Sequence, residues 1–213
     1  ARNHGGAANW GRLDKMSASP VQAGASFGAA LALDGADLAV GAPEESRGTV
    51  PLAMAAYLFR QADDWDDAWS LAQRLQPGEL STAQYFGVSV AVDHGRVLVG
   101  GPLPVANEPS AAAAWLYTRD GAAGEPWRLT KKFTTPSADS LGTVALDGLH
   151  VVVADPTEHV GTTADRGVIH VWDLAAAEFV PEAATPAAAG MESFGAAVAL
   201  RGDLLAAGAP QET

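Results

Sequence analysis

The sequence predicts an all-β protein built from repeated four-stranded antiparallel units. Three observations carry this. An aromatic-Gly-type dipeptide is followed, four times, by a Gly-Ala-Pro-type tripeptide: Phe27-Gly28 with Gly41-Ala42-Pro43, Phe86-Gly87 with Gly100-Gly101-Pro102, Leu141-Gly142 with Ala154-Asp155-Pro156, and Phe194-Gly195 with Gly208-Ala209-Pro210. From the first residue to the proline the separation is 16, 16, 15 and 16 residues, and fixed internal spacing marks a repeat architecture. After each dipeptide, larger apolar residues alternate with small ones, as Val88, Val90 and Val92 do with Ser89 and Ala91; period two is the signature of a strand. A turn pair then separates two apolar runs: Asp34-Gly35, His94-Gly95, Asp147-Gly148 and Gly202-Asp203. Such pairs favour a hairpin because glycine tolerates positive φ.

Each copy resolves into four segments. Segment one spans 27–34, 86–93, 141–147 and 194–201. Its small alternate residues imply that both faces are covered, one of them closely. Segment two spans 38–40, 97–99, 151–153 and 204–206, and the following proline, lacking an N–H, is expected to stop the ladder. Segment three carries an aromatic-x-aromatic pattern, Tyr57-Leu58-Phe59 and Trp115-Leu116-Tyr117, degraded to His170-Val171-Trp172. Segment four spans 69–75 and 127–133 and starts weakly at Phe179; an extra copy stands at 10–16. Four short strands per repeat make a β-propeller of four-stranded antiparallel blades. About three complete blades (27–75, 86–133 and 141–182) lie between partial blades at both ends (10–16 and 194–213), with residues 1–9 as an N-terminal extension. A β-sandwich would not impose one repeated motif, and period-two alternation excludes a helical solenoid.

The order Phe-Gly, apolar strand, Asp-Gly-type turn, apolar strand, Gly-Ala-Pro, aromatic strand and Trp-x5-Leu resembles the FG-GAP repeat. That repeat builds the integrin α-subunit-like β-propeller and many bacterial and algal surface proteins. The resemblance covers nearly all of residues 10–210; the third copy departs from it by lacking Phe, by one missing residue and by reading Ala-Asp-Pro. It implies an extracellular or surface-associated propeller that binds or scaffolds, mediating adhesion or protein assembly, with no catalytic role of its own. Alternatives are a carbohydrate-binding propeller, and an accessory propeller of an enzyme whose catalytic domain lies outside this chain. Family propellers usually carry seven blades, so fewer than four leave two open strand edges, which proteins ordinarily cover. Further blades of a longer chain, a second copy or a different protein would each do so, and the segment at 10–16 could then complete a neighbour's last blade by strand addition.

Composition narrows the partners. The 213 residues are 48% hydrophobic and 18% charged, with 25 acidic against 13 basic residues and a net charge of -12. This argues against nucleic acid, whose binding rests on clustered Lys and Arg. The absence of cysteine removes disulfides, thiolate catalysis and Cys-ligated metals. No apolar run reaches the roughly 18 residues of a membrane span.

Candidate sites are few. Family blades often hold calcium in the loop after Gly-Ala-Pro, where oxygens from alternate residues meet a hard cation. Every copy here departs from that pattern; the third loop, with Asp155, Glu158 and Asp165, comes nearest, and Arg166 adds a competing charge. A solvated acidic loop is the simpler reading, and no cofactor is required. Asp63, Asp64, Asp66 and Asp67 surround Trp65 in a hairpin turn that would splay them. Trp65 is the tryptophan that blade packing does not explain, and hence the candidate carbohydrate platform. Arg201-Gly202-Asp203 spells an integrin-binding tripeptide but falls at an ordinary turn. Gly24-Ala25-Ser26-Phe27-Gly28 matches a nucleophile elbow, yet that motif needs a strand before it and a helix after it. Five scattered His residues assemble no metal motif, and nothing joins a nucleophile, a base and an oxyanion donor.

Overall fold

The computed structural model describes residues 15–19, 23–45, 54–61, 68–77, 85–103, 111–120, 125–135, 143–161, 166–176, 182–185 and 191–212. All regular structure among them is β. The first blade contains β1 (Leu31–Asp34), β2 (Asp37–Ala42), β3 (Ala55–Gln61) and β4 (Trp69–Leu75), hydrogen-bonded in that order. The second contains β5 (Ser89–Asp93), β6 (Arg96–Leu103), β7 (Ala111–Thr118) and β8 (Arg128–Thr134). The third contains β9 (Val144–Asp147), β10 (His150–Asp155), β11 (Val168–Asp173) and β12 (Glu182–Ala184). Of a fourth, β14 (Ala197–Arg201) pairs with β15 (Leu204–Gly208), while β13 (Met191–Glu192) pairs with β16 (Gln211–Glu212). All these pairs are antiparallel. The first strands lie side by side, β1 against β5, β5 against β9 and β9 against β14. The blades therefore fan out from one edge, as in a propeller. The segment at 10–16 falls largely outside the described residues, and Lys15 and Met16 are not in a strand.

Segment one starts later than its alternation predicts, at Leu31, Ser89, Val144 and Ala197. In three copies the Phe-Gly pair occupies a tight turn instead. Ala29 N–H reaches the Ser26 carbonyl at 3.0 Å, Val88 reaches Tyr85 at 3.0 Å, and Ala196 reaches Ser193 at 3.1 Å. Gly28, Gly87 and Gly195 stand at φ 94°, 95° and 92°, where a side chain would be strained. Each then closes its own hairpin: Gly28 N–H donates to the Gly41 carbonyl at 2.9 Å, Gly87 to Gly100 at 3.0 Å and Gly195 to Gly208 at 2.9 Å. The constant spacing in the sequence is thus the length of one hairpin.

Proline stops the second strand in two blades and not in another. β2 ends at Ala42 and β10 at Asp155, but β6 runs through Pro102 to Leu103. Pro102 sits opposite Ala112, and Ala112 turns both its main-chain groups the other way: its carbonyl accepts the Thr135 N–H at 3.0 Å and its N–H donates to Thr135 Oγ1 at 3.2 Å. The pair is a non-hydrogen-bonded one, so the missing proline N–H costs the ladder between β6 and β7 no bond.

The core lies between blades. Each blade presents aromatics on its leading face, and its trailing face is small or aliphatic apart from Phe133 of the second blade. Ala39, Ala56, Leu58 and Leu75 of the first blade receive Phe86, Val97, Val99, Trp115, Tyr117 and Trp127 of the second. Leu98, Ala112, Ala114, Leu116 and Phe133 of the second receive Val144, Leu146, Val151, Val153 and Trp172 of the third. The Phe of the Phe-Gly turn meets the first aromatic of β3 or β7 edge to face, Phe27 on Tyr57 at 5.5 Å and Phe86 on Trp115 at 5.1 Å. This is the arrangement the ring quadrupoles favour.

Hydrogen bonds rivet the same junctions. Asp34 Oδ2 accepts His94 N–H at 2.7 Å, Asp93 Oδ2 accepts Gly148 N–H at 3.0 Å, and Asp147 Oδ2 accepts Gly202 N–H at 2.6 Å. The residue ending each first strand thus caps the turn of the next blade. Ser89 and Thr143 side chains likewise accept the N–H of Val144 and Val198.

A Cβ on Gly41 would stand 1.9 Å from the Gly87 carbonyl oxygen of the next blade, whereas one on Gly208 meets nothing nearer than 3.8 Å. Gly41→Ala should therefore destabilise the protein by about 1–3 kcal/mol, the usual cost of overpacking. Gly208→Ala, at the same motif position, should be near neutral. Chemical denaturation of both variants checks this; equal effects would contradict the docking account.

Candidate functional site

The loops after Gly-Ala-Pro hold buried charge. In the first blade Glu45 follows Pro43 by two residues and is 2% exposed. Its main chain is held by Ala42 and Met54: Glu45 N–H donates to the Ala42 carbonyl at 3.3 Å, and Met54 N–H donates to the Glu45 carbonyl at 2.9 Å. The carboxylate turns inward. Tyr57 Oη donates to Oε2, and Arg74 donates to Oε1 through Nε at 2.9 Å and Nη2 at 2.5 Å. Burial, reinforced by the bond to Glu45, pushes the Tyr57 phenol up to about 12. A guanidinium on a β4 residue thus neutralises the acid, as a buried carboxylate requires.

The third blade fills the same positions with different chemistry. By strand register, Asp155 stands at the position of Ala42, His170 at that of Tyr57 and Ala183 at that of Arg74. Glu158 follows Pro156 by two residues, as Glu45 follows Pro43. Glu158 Oε2 lies 2.6 Å from His170 Nε2, and His170 is 3% exposed. Asp155 is fully buried. Thr157 donates to its Oδ1 from both N–H and Oγ1 at 3.2 Å, and Thr135 of the second blade donates to Oδ2 at 3.4 Å. Burial, followed by the charge of Glu158, pushes the Asp155 carboxyl up to about 7 against the pull of Thr157 and His170.

The structure therefore brings Asp155 and Glu158 together, while Asp165 lies outside the described residues. These two acids do not form a solvated loop. Asp155 is spent on threonines and Glu158 on imidazole, a donor set that does not fit calcium, which takes six to eight oxygens. Among the described residues, the three acids or imidazoles whose ligand atoms all lie within 4.8 Å are elsewhere: Asp34, Asp93 and His94, at the turns of the first two blades. His94 is exposed, and its bond to Asp93 raises its pKa. Trp65 and its acidic neighbours lie outside the described residues. Ser26 sits in the Phe-Gly turn, where its hydroxyl donates to Glu44; among the described residues, neither a strand before it nor a helix after it makes an elbow. Arg201, Gly202 and Asp203 are exposed at the tip between β14 and β15.

Residues 10–59 match the family model of the FG-GAP repeat. That part of the chain is similar to the FG-GAP repeat. No curated protein matches the chain. The match spans the first Phe-Gly, the first Gly-Ala-Pro and the aromatic pair of β3, and the Phe86-Gly87 hairpin repeats their hydrogen bonds. Arg201 takes the place of Asp34, Asp93 and Asp147 at the end of the first strand, so the row of capping carboxylates ends there. Sequence reasoning missed Tyr57, Arg74 and His170 as partners of the loop acids. One signal was present: a Glu two residues beyond the proline in both the first and the third FG-GAP copy. Among the described residues no helix is long and apolar enough to cross a membrane.

Two outcomes follow from these buried charges. Arg74→Ala strands Glu45 without its counter-charge and should cost about 3 kcal/mol, the order seen when one partner of a buried pair is removed. Glu45→Gln in the same chain should recover part of it, as a urea double-mutant cycle would show. Asp155 titrates higher in the folded chain than its ordinary 3.8. Its neutral form therefore contributes stability that is complete below 3.8 and is lost as the pH rises through about 7. Asp155→Asn should gain stability relative to the parent at alkaline pH, and the gain should shrink on acidification. A gap independent of pH in thermal melts would contradict the burial account.

Proposed function

We propose that the chain is a non-catalytic binding and scaffold propeller of an extracellular or surface-associated protein, serving adhesion or protein assembly through its open blade edges. One observation carries this reading. Leu31 and Leu33 of β1 are 65% and 63% exposed. Their counterparts Val90, Val144 and Leu146 are 8%, 6% and 7% exposed, because the preceding blade covers them. The same face of the first blade is thus built for a partner. Covering both leucines would contribute on the order of 3 kcal/mol. At the other end β15 pairs only with β14 among the described residues, and Leu204 is 78% exposed. An unpaired strand edge is a template for another chain. The FG-GAP match supports the binding role, since blade faces and loops offer surface and no intrinsic chemistry. Protein partners, a second copy included, are the expected ligands.

Sedimentation velocity over a concentration series tests it. Association should be present in the parent and absent in Leu31→Glu/Leu33→Glu, with the melting midpoint of the dilute variant unchanged. A parent that sediments as a monomer throughout, indistinguishable from the double variant, would defeat the proposal.

A further inference from the structure

A cavity of about 460 Å³ lies between the third and fourth blades, walled by His150, Val171, Asp173, Leu200, Asp203 and Leu205. At the two earlier junctions the same positions are covered. By strand register Leu205 corresponds to Val97 and Val151, and Val171 to Leu58 and Leu116. Val97, Val151 and Leu58 are fully buried and Leu116 nearly so, whereas Leu205 is 36% exposed and Val171 is only partly buried. What covers Val97 is Tyr117, its partner on β7, and what covers Val151 is Trp172, its partner on β11. The first blade likewise places Phe59 opposite Leu38. Two residues earlier, Tyr57, Trp115 and His170 stand opposite Val40, Val99 and Val153. The corresponding residue of β15 is Ala207.

β15 offers the matching main-chain edge. The Gly208 carbonyl accepts the Gly195 N–H on the β14 side. Main-chain groups alternate in direction along a strand, so Leu205 and Ala207 turn theirs outward, to the side that β7 occupies on β6. Ala207 is exposed, and among the described residues β15 pairs with β14 alone. A side chain standing opposite Leu205 would enter the cavity, as Tyr117 and Trp172 enter the earlier junctions. The cavity continues the packing of the fourth blade on the third, where Val198 and Leu200 meet Ala145, Val152 and Ile169. Its aliphatic walls suit a large ring. Asp173 and Asp203, exposed at its rim, oppose an acidic segment.

We propose that β15 and this cavity bind an extended segment of a partner chain that reads aromatic-x-aromatic, paired antiparallel to β15 with its second ring in the cavity. The proposal rests on the open-edge reading and names the partner of its β15 end. The probe is a fluorescein-labelled peptide, Ala-Ala-Ala-Trp-Leu-Tyr-Thr-Arg, which copies residues 112–119 and is titrated by fluorescence anisotropy. Binding should saturate with a Kd below about 1 mM. Serine in place of the peptide's Tyr should weaken it roughly tenfold, the loss of one buried ring. Ala207→Pro removes an outward N–H and none of the bonds to β14, so it should abolish binding and leave the melting midpoint unchanged. Leu205→Asp should also weaken binding. No saturable binding, equal binding of the serine peptide, or an affinity unchanged in both variants would overturn the proposal. Self-association lost in Ala207→Pro with no peptide bound would assign β15 to a second copy; that result overturns this proposal and leaves the open-edge reading intact. Peptide binding by a parent that sediments as a monomer would support this site and defeat the association through Leu31 and Leu33. The parent titration with the two peptides decides the matter even if a variant fails to fold.

Discussion

The rest of the structure depends on one close approach, that of a Phe-Gly turn to the Gly-Ala-Pro strand of the blade before it. A Cβ on Gly87 would stand 2.6 Å from the Ala55 carbonyl oxygen and 3.3 Å from the Ala42 nitrogen. One on Gly167 would stand 2.1 Å from the Phe194 carbonyl oxygen. Backbone meets backbone here, and only residues with little or no side chain permit it. The approach then sets the depth at which Phe86 enters between blades, and with it the aromatic layer around Trp115 and Tyr117. Glycine and alanine in the motif are requirements of the junction more than of the strand that carries them.

Once the junctions are fixed, the chain is free to vary what lies at their rims. The first blade closes its loop with Glu45, Tyr57 and Arg74, a neutral set. The third keeps a glutamate and an aromatic ring at the same positions, adds Asp155 and drops the arginine. The contact of Glu158 with the His170 imidazole and the threonine hydrogen bonds of Asp155 take the place of Arg74 there. The first junction goes the other way and gathers two arginines, Arg60 and Arg119, around Asp37. These are three electrostatic solutions on one scaffold. Function on such a fold resides in positions like these, since the fold itself does not specify it.

Much of this was legible along the chain. The hairpins, their turns, the four-strand repeat and the aromatic third strand follow from alternation, Asp-Gly pairs and spacing. Three points were not. The placement of Phe-Gly in a turn was hidden because Phe27 and Phe86 continue an apolar alternation, while the positive φ of their glycines shows only in the folded backbone. The passage of β6 through Pro102 depends on register, since Ala112 opposite it directs its main-chain groups to Thr135 and away from the proline. Glu45 and Glu158 read as solvated loop acids because their partners Tyr57, Arg74 and His170 sit on other strands, 12 to 29 residues away.

The sequence by itself determined the unit: a four-stranded blade, its turns, its large and small faces and its kinship with the FG-GAP repeat. Those properties rest on torsional preferences and alternation among residues a few positions apart. Only the tertiary structure decided how units meet. The side-chain hydrogen bonds that join blades span 20 to 82 residues. They require particular atoms, a Gln73 amide against the Trp127 main chain or an Asp34 carboxylate against the His94 N–H, to face each other across separately folded sheets. No local pattern encodes such a pairing. The exposed Leu31 and Leu33 show the same limit from the other side. They read as ordinary strand residues until their buried counterparts in the next two blades reveal that this position is one a neighbour should cover.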